Sequence, residues 1–197
     1  MTHMLTRLSI IAALALAAPA MAQDTTAPQP PADSGLALGE TVTDGPQMNQ
    51  PYIREVSGDW ALECLKLEEG EEPCQLFQTL TDDEGNQVAN MRIFRLPAGG
   101  QAEAGALVAV PLETLLTAQL TITVDGGQAK RYPFSVCDRQ GCYARIGLTS
   151  EDVTSYKRGA GATVTLVPFV APDERVEVRL SLAGFTAGYD KIPVPTE

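Results

Sequence analysis

The sequence predicts an all-β fold, an antiparallel β-sandwich of about nine strands with one short helix. Three observations lead to this prediction. Short runs of alternating or β-branched side chains recur along the chain, turn residues separate these runs, and a single segment has the pattern of a helix. Many short strands with frequent turns and few helices are typical of a sandwich rather than of a parallel α/β sheet.

The composition divides the chain of 197 residues into four parts. Residues 1–22 have a basic start, an apolar run and a small-x-small site before Gln23, which is the pattern of a secretory signal peptide. Residues 23–51 are rich in proline and alanine and contain no aromatic side chain, so we expect a disordered tether. The sandwich is predicted over residues 52–192, and residues 193–197 form a C-terminal tail.

The apolar run of the leader, Leu8 to Ala18, is about 11 residues long and too short to cross a bilayer, which takes about 20 residues as a helix. No cysteine follows the cleavage site, so a lipid anchor is not expected, and no later stretch has the length and apolarity of a span. The sequence therefore predicts an exported protein without a membrane span.

The strands are placed in order by their side-chain pattern. In the first, Trp60, Leu62 and Cys64 share one face because side chains alternate along a strand. The other eight are predicted near residues 74–80, 87–95, 105–110, 119–124, 128–136, 142–148, 162–170 and 175–182.

Two local signals place a hairpin and the helix. The segment Asp125-Gly126-Gly127 favours a tight hairpin between the strands on either side, because such turns need positive φ angles that Asp-Gly readily adopts. Thr149 or Ser150 can cap a helix, two acidic residues follow, and Gly159 is placed to end it after about two turns.

Four cysteines, Cys64, Cys74, Cys137 and Cys142, lie in the predicted domain, and an even number in an exported domain suggests disulfides. Three pairings exist. We favour Cys64 with Cys74 and Cys137 with Cys142, since each pair flanks a turn-like segment, and each bridge would contribute roughly 2 to 3 kcal/mol. A zinc site or a catalytic dithiol normally uses closely spaced C-x-x-C pairs, which are missing, so no metal site is predicted.

The only histidine, His3, lies in the leader, so the mature chain has no imidazole for Ser-His-Asp or Cys-His catalysis or for a histidine metal site. No carboxylate pair, Ser-Lys motif or phosphate-binding loop stands out in the rest of the chain. The sequence therefore predicts no enzyme activity, no catalytic residue and no cofactor.

The charge is strongly acidic. Loss of the leader removes one basic residue, Arg7, and leaves 13 basic against 25 acidic residues, a net charge of −12. Nucleic acid is therefore not an expected partner, because phosphate binding needs a basic surface. We interpret the acidic runs, residues 68–72 and 82–84, as solvated loops, with a patch for a cation or a basic partner as the alternative.

A series of short motifs resembles the invasion-associated locus B family of exported alphaproteobacterial proteins. The motifs are Gly58-Asp59-Trp60 followed by Cys64 and Cys74, Val110-Pro111-Leu112, Val124-Asp125-Gly126-Gly127, Pro133-Phe134, Cys137 with Gly141-Cys142, Ser181-Leu182 and Gly184-Phe185. The resemblance runs from about Ile53 to Tyr189 and implies an immunoglobulin-like β-sandwich in a Gram-negative periplasm. It carries over no catalytic residue. The family pattern has a glycine near Ala118-Gln119 that this chain lacks, which puts a local turn in question.

Together these features predict a non-catalytic periplasmic module that contacts an unidentified protein of the cell envelope through a sheet edge or loops. Two alternatives stay open, the binding of a small ligand or cation and a role in host-cell invasion or adhesion. Trp60 and Phe185 are candidate partner contacts, and packing in the core is the alternative for each ring. The sequence does not predict an oligomeric state.

Overall fold

The computed structural model describes residues 45–195, which form two antiparallel sheets around one hydrophobic core. The strands are β1 (Pro51–Ser57), β2 (Trp60–Leu65), β3 (Cys74–Thr81), β4 (Gln87–Arg95), β5 (Ala104–Val110), β6 (Leu120–Val124), β7 (Lys130–Tyr132), β8 (Phe134–Cys137), β9 (Cys142–Leu148), β10 (Gly161–Leu166) and β11 (Val176–Ser181). The helices are α1 (Ser150–Arg158), α2 (Phe185–Tyr189) and one 3-10 turn (Leu116–Ala118).

The seven-stranded sheet has the order β1-β2-β3-β4-β5-β9-β8, and the four-stranded sheet has the order β11-β10-β6-β7. Every strand pair is antiparallel. The predicted all-β class and antiparallel sandwich are confirmed. The predicted signal peptide and most of the predicted tether lie outside the described residues, as do the last two residues of the predicted tail. In residues 45–195, no helix has the length and apolarity needed to cross a membrane.

The core follows from the alternation of side chains along the strands. In β2, Trp60, Leu62 and Cys64 are buried and the residues between them are partly exposed, as predicted. The same alternation recurs in β3, β4, β9 and β10. The largest fully buried side chains are Trp60, Tyr189, Phe185, Leu76, Leu80, Met91, Ile93, Leu120, Leu148, Leu180, Val108 and Val164.

The predicted hairpin joins β6 to β7. Asp125 and Gly126 have φ angles of 45° and 68°, and the Gly127 N–H donates to the Val124 carbonyl oxygen over 2.8 Å. These angles match a turn of type I′, whose twist suits a hairpin. The Asp125 carboxylate also accepts from the Gly161 N–H at 3.0 Å, so the turn is bound to the start of β10.

The predicted helix is α1, and Thr149 is its cap. The Thr149 hydroxyl accepts from the Asp152 N–H, while the Asp152 carboxylate accepts from the Thr149 N–H, which together form a capping box. Gly159 follows the last helical residue, as expected.

Four elements differ from the prediction. The single strand expected over residues 128–136 is divided at Pro133 into β7 and β8, which belong to different sheets. Because proline has no N–H for a ladder bond, it suits the point where the chain leaves one sheet for the other. The strand expected over 162–170 ends at Leu166, two residues before Pro168. β1 and α2 were not predicted.

The missing glycine of the family pattern corresponds to a strained position. Gln119 follows the 3-10 turn with φ 61° and ψ 160°, a region that is essentially restricted to glycine.

We expect Gln119→Gly to raise the free energy of unfolding by about 1 kcal/mol, because the relief of backbone strain exceeds the added entropy of the unfolded chain. Denaturant unfolding measures this change. Gln101→Gly, at an exposed residue with no positive φ, should instead lower stability, and equal effects of both changes would contradict the account.

Candidate functional site: two interaction surfaces

The four cysteines form two disulfides, Cys64–Cys74 and Cys137–Cys142. These are the pairings that the sequence favours. In each bridge the two residues are direct partners on neighbouring antiparallel strands, so each bond closes one hairpin. Because all four cysteines of the described chain are in disulfides, none has a free thiol that could bind a metal ion or act as a nucleophile.

Trp60 and Phe185, the candidate partner contacts, both lie in the core with 0% of their surface exposed. Their rings meet edge to face with centroids 5.5 Å apart, and Phe185 also packs on Tyr156 and Tyr189. The Trp60 indole N–H donates to the Ser181 carbonyl oxygen over 2.9 Å. A role in partner contact does not fit this structure, because neither ring reaches the surface of the folded domain.

The first and last motifs of the family pattern meet in space. Gly58 and Gly184 have positive φ angles of 57° and 83°, and the Asp59 N–H donates to the Ala183 carbonyl oxygen over 3.1 Å. A Cβ atom on Gly184 would lie 2.0 Å from the Ser57 carbonyl oxygen. These motifs therefore form a joint, that is, a close backbone contact, between the β1–β2 turn and the start of α2.

The acidic loop at residues 66–73 is held by its own ion pairs. The Glu72 carboxylate accepts from the Lys66 ammonium at 2.8 Å, from the Tyr52 hydroxyl at 2.5 Å and from the Arg54 guanidinium. The hydrogen bond from Lys66, followed by that from Tyr52, lowers the pKa of Glu72 to about 2. Glu72 thus links the loop to the first residues of β1 and stabilises both.

The second acidic run is also structural. Asp82 accepts hydrogen bonds from the backbone N–H groups of Glu84 and Asn86, and these bonds hold the turn between β3 and β4. Across residues 45–195, no three Asp, Glu, His or Cys side chains are grouped in a way that could hold a metal ion.

The Glu72 contacts predict a pH dependence of stability. Since the folded-state pKa is lowered, the carboxylate contributes stability that is complete above its unfolded pKa of about 4.3 and is lost as the pH falls towards about 2. We expect Glu72→Gln to flatten the loss of unfolding free energy between these pH values, as measured by urea unfolding at a series of pH values. Glu69→Gln, which removes an exposed carboxylate of the same loop, should leave the slope of the wild type.

The first candidate surface is formed by two loops at one end of the sandwich, residues 111–119 and 167–175, which we call the apolar end. The Leu115 N–H donates to the Val167 carbonyl oxygen at 2.8 Å, and the Phe169 N–H donates to that of Glu113 at 2.6 Å. A β-bridge joins Thr114 to Pro168 between these bonds. The two loops are therefore held side by side as one unit.

Large apolar side chains project from both loops of the apolar end. Leu112 and Leu116 are 48% and 43% exposed, and Phe169 and Val170 are 65% and 76% exposed. Apolar side chains that are clustered on ordered loops mark an interaction site more often than single exposed ones do. Leu112 belongs to a motif of the family pattern, whereas Phe169 and Val170 fall in the strand that was wrongly predicted over residues 162–170.

The second candidate surface is the outer face, the side of the seven-stranded sheet that points away from the core. A row of direct cross-strand partners runs over it, in the order Ala61, Phe77, Arg92, Leu107 and Arg145. The Arg92 guanidinium lies 4.7 Å from the centre of the Phe77 ring. Apolar side chains interspersed with guanidinium groups are typical of protein interfaces.

The outer face has two depressions that share Phe94. One, of about 650 Å³, lies over β4, β5, β9 and β8 and is lined by Leu107, Val136, Tyr143 and Arg145. The other, of about 760 Å³, lies beside the Cys64–Cys74 disulfide. Its further lining residues are Pro51, Glu63, Leu65, Glu71, Glu72, Pro73, Gln75, Arg95, Pro193 and Pro195.

Comparison with known proteins relates this arrangement to one family. The family model of the invasion associated locus B (IalB) protein matches residues 60–193. The invasion protein B homologues of two Brucella abortus strains, 2308 and biovar 1 strain 9-941, are each 27% identical over 145 residues, which cover 74% of this chain and 82% of each relative. The crystal structure of invasion associated protein B from Bartonella henselae has a TM-score of 0.58 at 21% identity, and the match covers 70% of this chain and 92% of that one.

Proposed function

The chain belongs to the invasion associated locus B family, and from this premise we propose that it is a disulfide-bonded interaction module of the bacterial cell envelope. The module is exported to the periplasm, has no catalytic activity and docks on another envelope protein through the apolar end. The observation that carries this proposal is the exposure of Leu112, Leu116, Phe169 and Val170 on two loops bonded to each other.

The energetics favour a protein partner at the apolar end. Burying an apolar side chain of this size is worth about 1.5 to 3 kcal/mol when it is moved fully out of water, so four partly exposed ones offer a substantial gain. The backbone bonds between the loops already order the backbone that carries these side chains, which lowers the entropy cost of ordering the loops on docking. The two loops of this end carry three acidic residues, Glu113, Asp173 and Glu174, against one basic residue, Arg175, and this excess of negative charge does not favour an anionic lipid surface.

Several features support a module without catalysis. The only histidine of the chain is His3, and the four cysteines are paired in disulfides. Glu72 and Asp82, in the two acidic runs, are engaged by neighbouring groups. Export is supported by the signal-peptide pattern of residues 1–22 and by the two disulfides, which form in oxidising compartments such as the periplasm.

The proposal is tested by capture of the tagged mature protein from native envelopes after mild cross-linking, comparing the wild type with Phe169→Ser/Val170→Ser. We expect one reproducible envelope protein with the wild type and at least a tenfold loss with the double variant. Both side chains are largely exposed, so the melting temperature should not change. Ile53→Ser, at an exposed apolar residue of β1, is the matched control and should capture as the wild type does.

A second candidate function is the binding of a small ligand in the depression of about 760 Å³. Phe94 and Leu65 offer apolar contacts there, and Arg95 and Gln75 offer polar ones, a mixture typical of ligand pockets. A ligand that raises the melting temperature of the wild type but not of Phe94→Ala would favour this function. The names of the Brucella and Bartonella relatives keep host-cell invasion as the remaining alternative.

A further inference from the structure

One half of the outer face differs in charge from the rest of the chain. Its four adjacent strands β4, β5, β9 and β8 contain no aspartate or glutamate, yet they contain three arginines, Arg92, Arg95 and Arg145. The whole chain has 25 acidic and 14 basic residues. Strand order places these acid-free segments side by side, so one half of the sheet presents positive charge on a strongly acidic protein.

Two of the arginines point outward and flank one apolar side chain. Arg92 and Arg145 are the direct cross-strand partners of Leu107 on either side of it. With strands about 4.8 Å apart, their Cα atoms are separated by roughly 10 Å. Among residues 45–195, neither guanidinium forms an ion pair with a carboxylate.

Arg92 is held in place before any partner arrives. Its guanidinium packs over the Phe77 ring and donates to the Asn90 side-chain oxygen over 2.7 Å. A stacked guanidinium retains donors for a carboxylate while its orientation is restricted, which reduces the entropy cost of binding. Beside it, the depression of about 650 Å³ has Leu107 in its lining, which offers apolar contact next to the positive charges, and also Tyr143, whose hydroxyl donates to the Asp138 carboxylate over 3.2 Å.

We propose that the outer face binds an acidic segment of a partner polypeptide, in which two carboxylates pair with Arg92 and Arg145 and an apolar side chain between them packs on Leu107. Carboxylates form bidentate, charge-assisted pairs with arginine. A helix that carries glutamates at positions i and i+7 spaces them by about 10.5 Å along its axis and presents residue i+3 between them, which matches this row.

Charge argues against a second copy of this chain as the occupant. Two copies in contact through β4, β5, β9 and β8 would bring arginine close to arginine, and the net charge of −11 adds repulsion between whole molecules. The site is separate from the apolar end, so this inference does not rest on the docking function proposed above.

The test uses fluorescein-labelled peptides of 15 residues containing Glu-x-x-Leu-x-x-x-Glu, with a second peptide that has glutamine in place of both glutamates. Fluorescence anisotropy with the mature protein should give at least tenfold tighter binding of the glutamate peptide. Arg92→Gln/Arg145→Gln should weaken that binding at least tenfold, while Arg179→Gln on β11, an exposed arginine of the other sheet, should not. Arg145→Gln alone should weaken binding of the glutamate peptide several-fold. This single variant still tests the proposal if the loss of Arg92 disturbs the packing of Phe77.

Three outcomes would overturn the proposal. They are equal binding of the glutamine peptide, unchanged binding by both arginine variants, and full displacement of the peptide by dextran sulfate at an equal concentration of charge, which would show a response to any polyanion. The Phe169→Ser/Val170→Ser variant should bind the peptide as the wild type does. That result separates a failure of this proposal from a failure of docking at the apolar end.

Discussion

Replacing Gly184 with alanine should lower the free energy of unfolding by about 3 kcal/mol or more. The new Cβ atom would lie 2.0 Å from the carbonyl oxygen of Ser57 and 2.6 Å from the backbone nitrogen of Gly58. Backbone atoms cannot move aside as the end of a flexible side chain can, so the joint between the β1–β2 turn and α2 has to open. Chemical denaturation of the mature protein, followed by far-UV circular dichroism, measures the loss.

Gly126→Ala is the matched control for this prediction. Gly126 also has a positive φ, of 68°, but no atom outside its immediate neighbours lies within 4 Å of its Cβ position. Gly126→Ala should therefore lower the free energy of unfolding only by the cost of placing alanine in the left-handed region, about 1 to 2 kcal/mol. If Gly184→Ala cost no more than Gly126→Ala, the close backbone approach would not be what the glycine is needed for.

Replacing Trp60 with alanine should destabilise the domain by about 3 to 5 kcal/mol. The indole is fully buried, packs edge to face on Phe185 and donates to the Ser181 carbonyl oxygen. Its removal leaves a large cavity at the centre of the core and deletes an aromatic contact. Thermal and denaturant unfolding of purified variants give the measurement.

Phe169→Ala provides the comparison for Trp60→Ala. Phe169 is also a large aromatic residue, but 65% of its surface is exposed on the apolar end. We expect its loss to change stability by less than about 0.5 kcal/mol, as for most surface substitutions. A large loss of stability on Phe169→Ala would mean that this ring supports the fold. Phe169 would then no longer count as a side chain that is available for contact with a partner protein.

The sequence predicts the elements whose own residues carry the signal. Alternation in Trp60, Leu62 and Cys64 shows the buried face of β2, and Asp125-Gly126 supplies the positive φ angles of the hairpin. The short distances between cysteines along the chain favour the observed disulfides. In each case the interaction lies within about ten residues, so no knowledge of the whole fold is needed.

β1 and α2 could not be predicted in this way. β1 lies at the edge of its sheet with most of its side chains exposed, so it has no alternation of buried and exposed residues to recognise. α2 has five residues and is held by the burial of Phe185 and Tyr189 rather than by helix propensity. Both depend on contacts between distant parts of the chain.

The candidate surfaces depend on the same kind of long-range information. Leu112 and Phe169 are far apart in sequence, and the bonds between the 111–119 and 167–175 loops bring their backbones together. One residue in the sequence indicates that Phe169 and Val170 lie in a loop: Pro168, because a proline argues against a strand that continues to Val170. The absence of acids from four strands becomes meaningful only once strand order makes them neighbours.

Photo-cross-linking at single positions in native cells tests the docking claim most directly. A photoreactive amino acid replaces Phe169 on the apolar end or, as the control, Arg179 on the exposed face of β11. If the apolar end docks, we expect one discrete adduct with an envelope protein from position 169 and none from position 179. Leu112→Ser/Leu116→Ser in the same chain should reduce the adduct from position 169. Absence of an adduct at position 169, or the same adducts at both positions, would contradict docking through the apolar end.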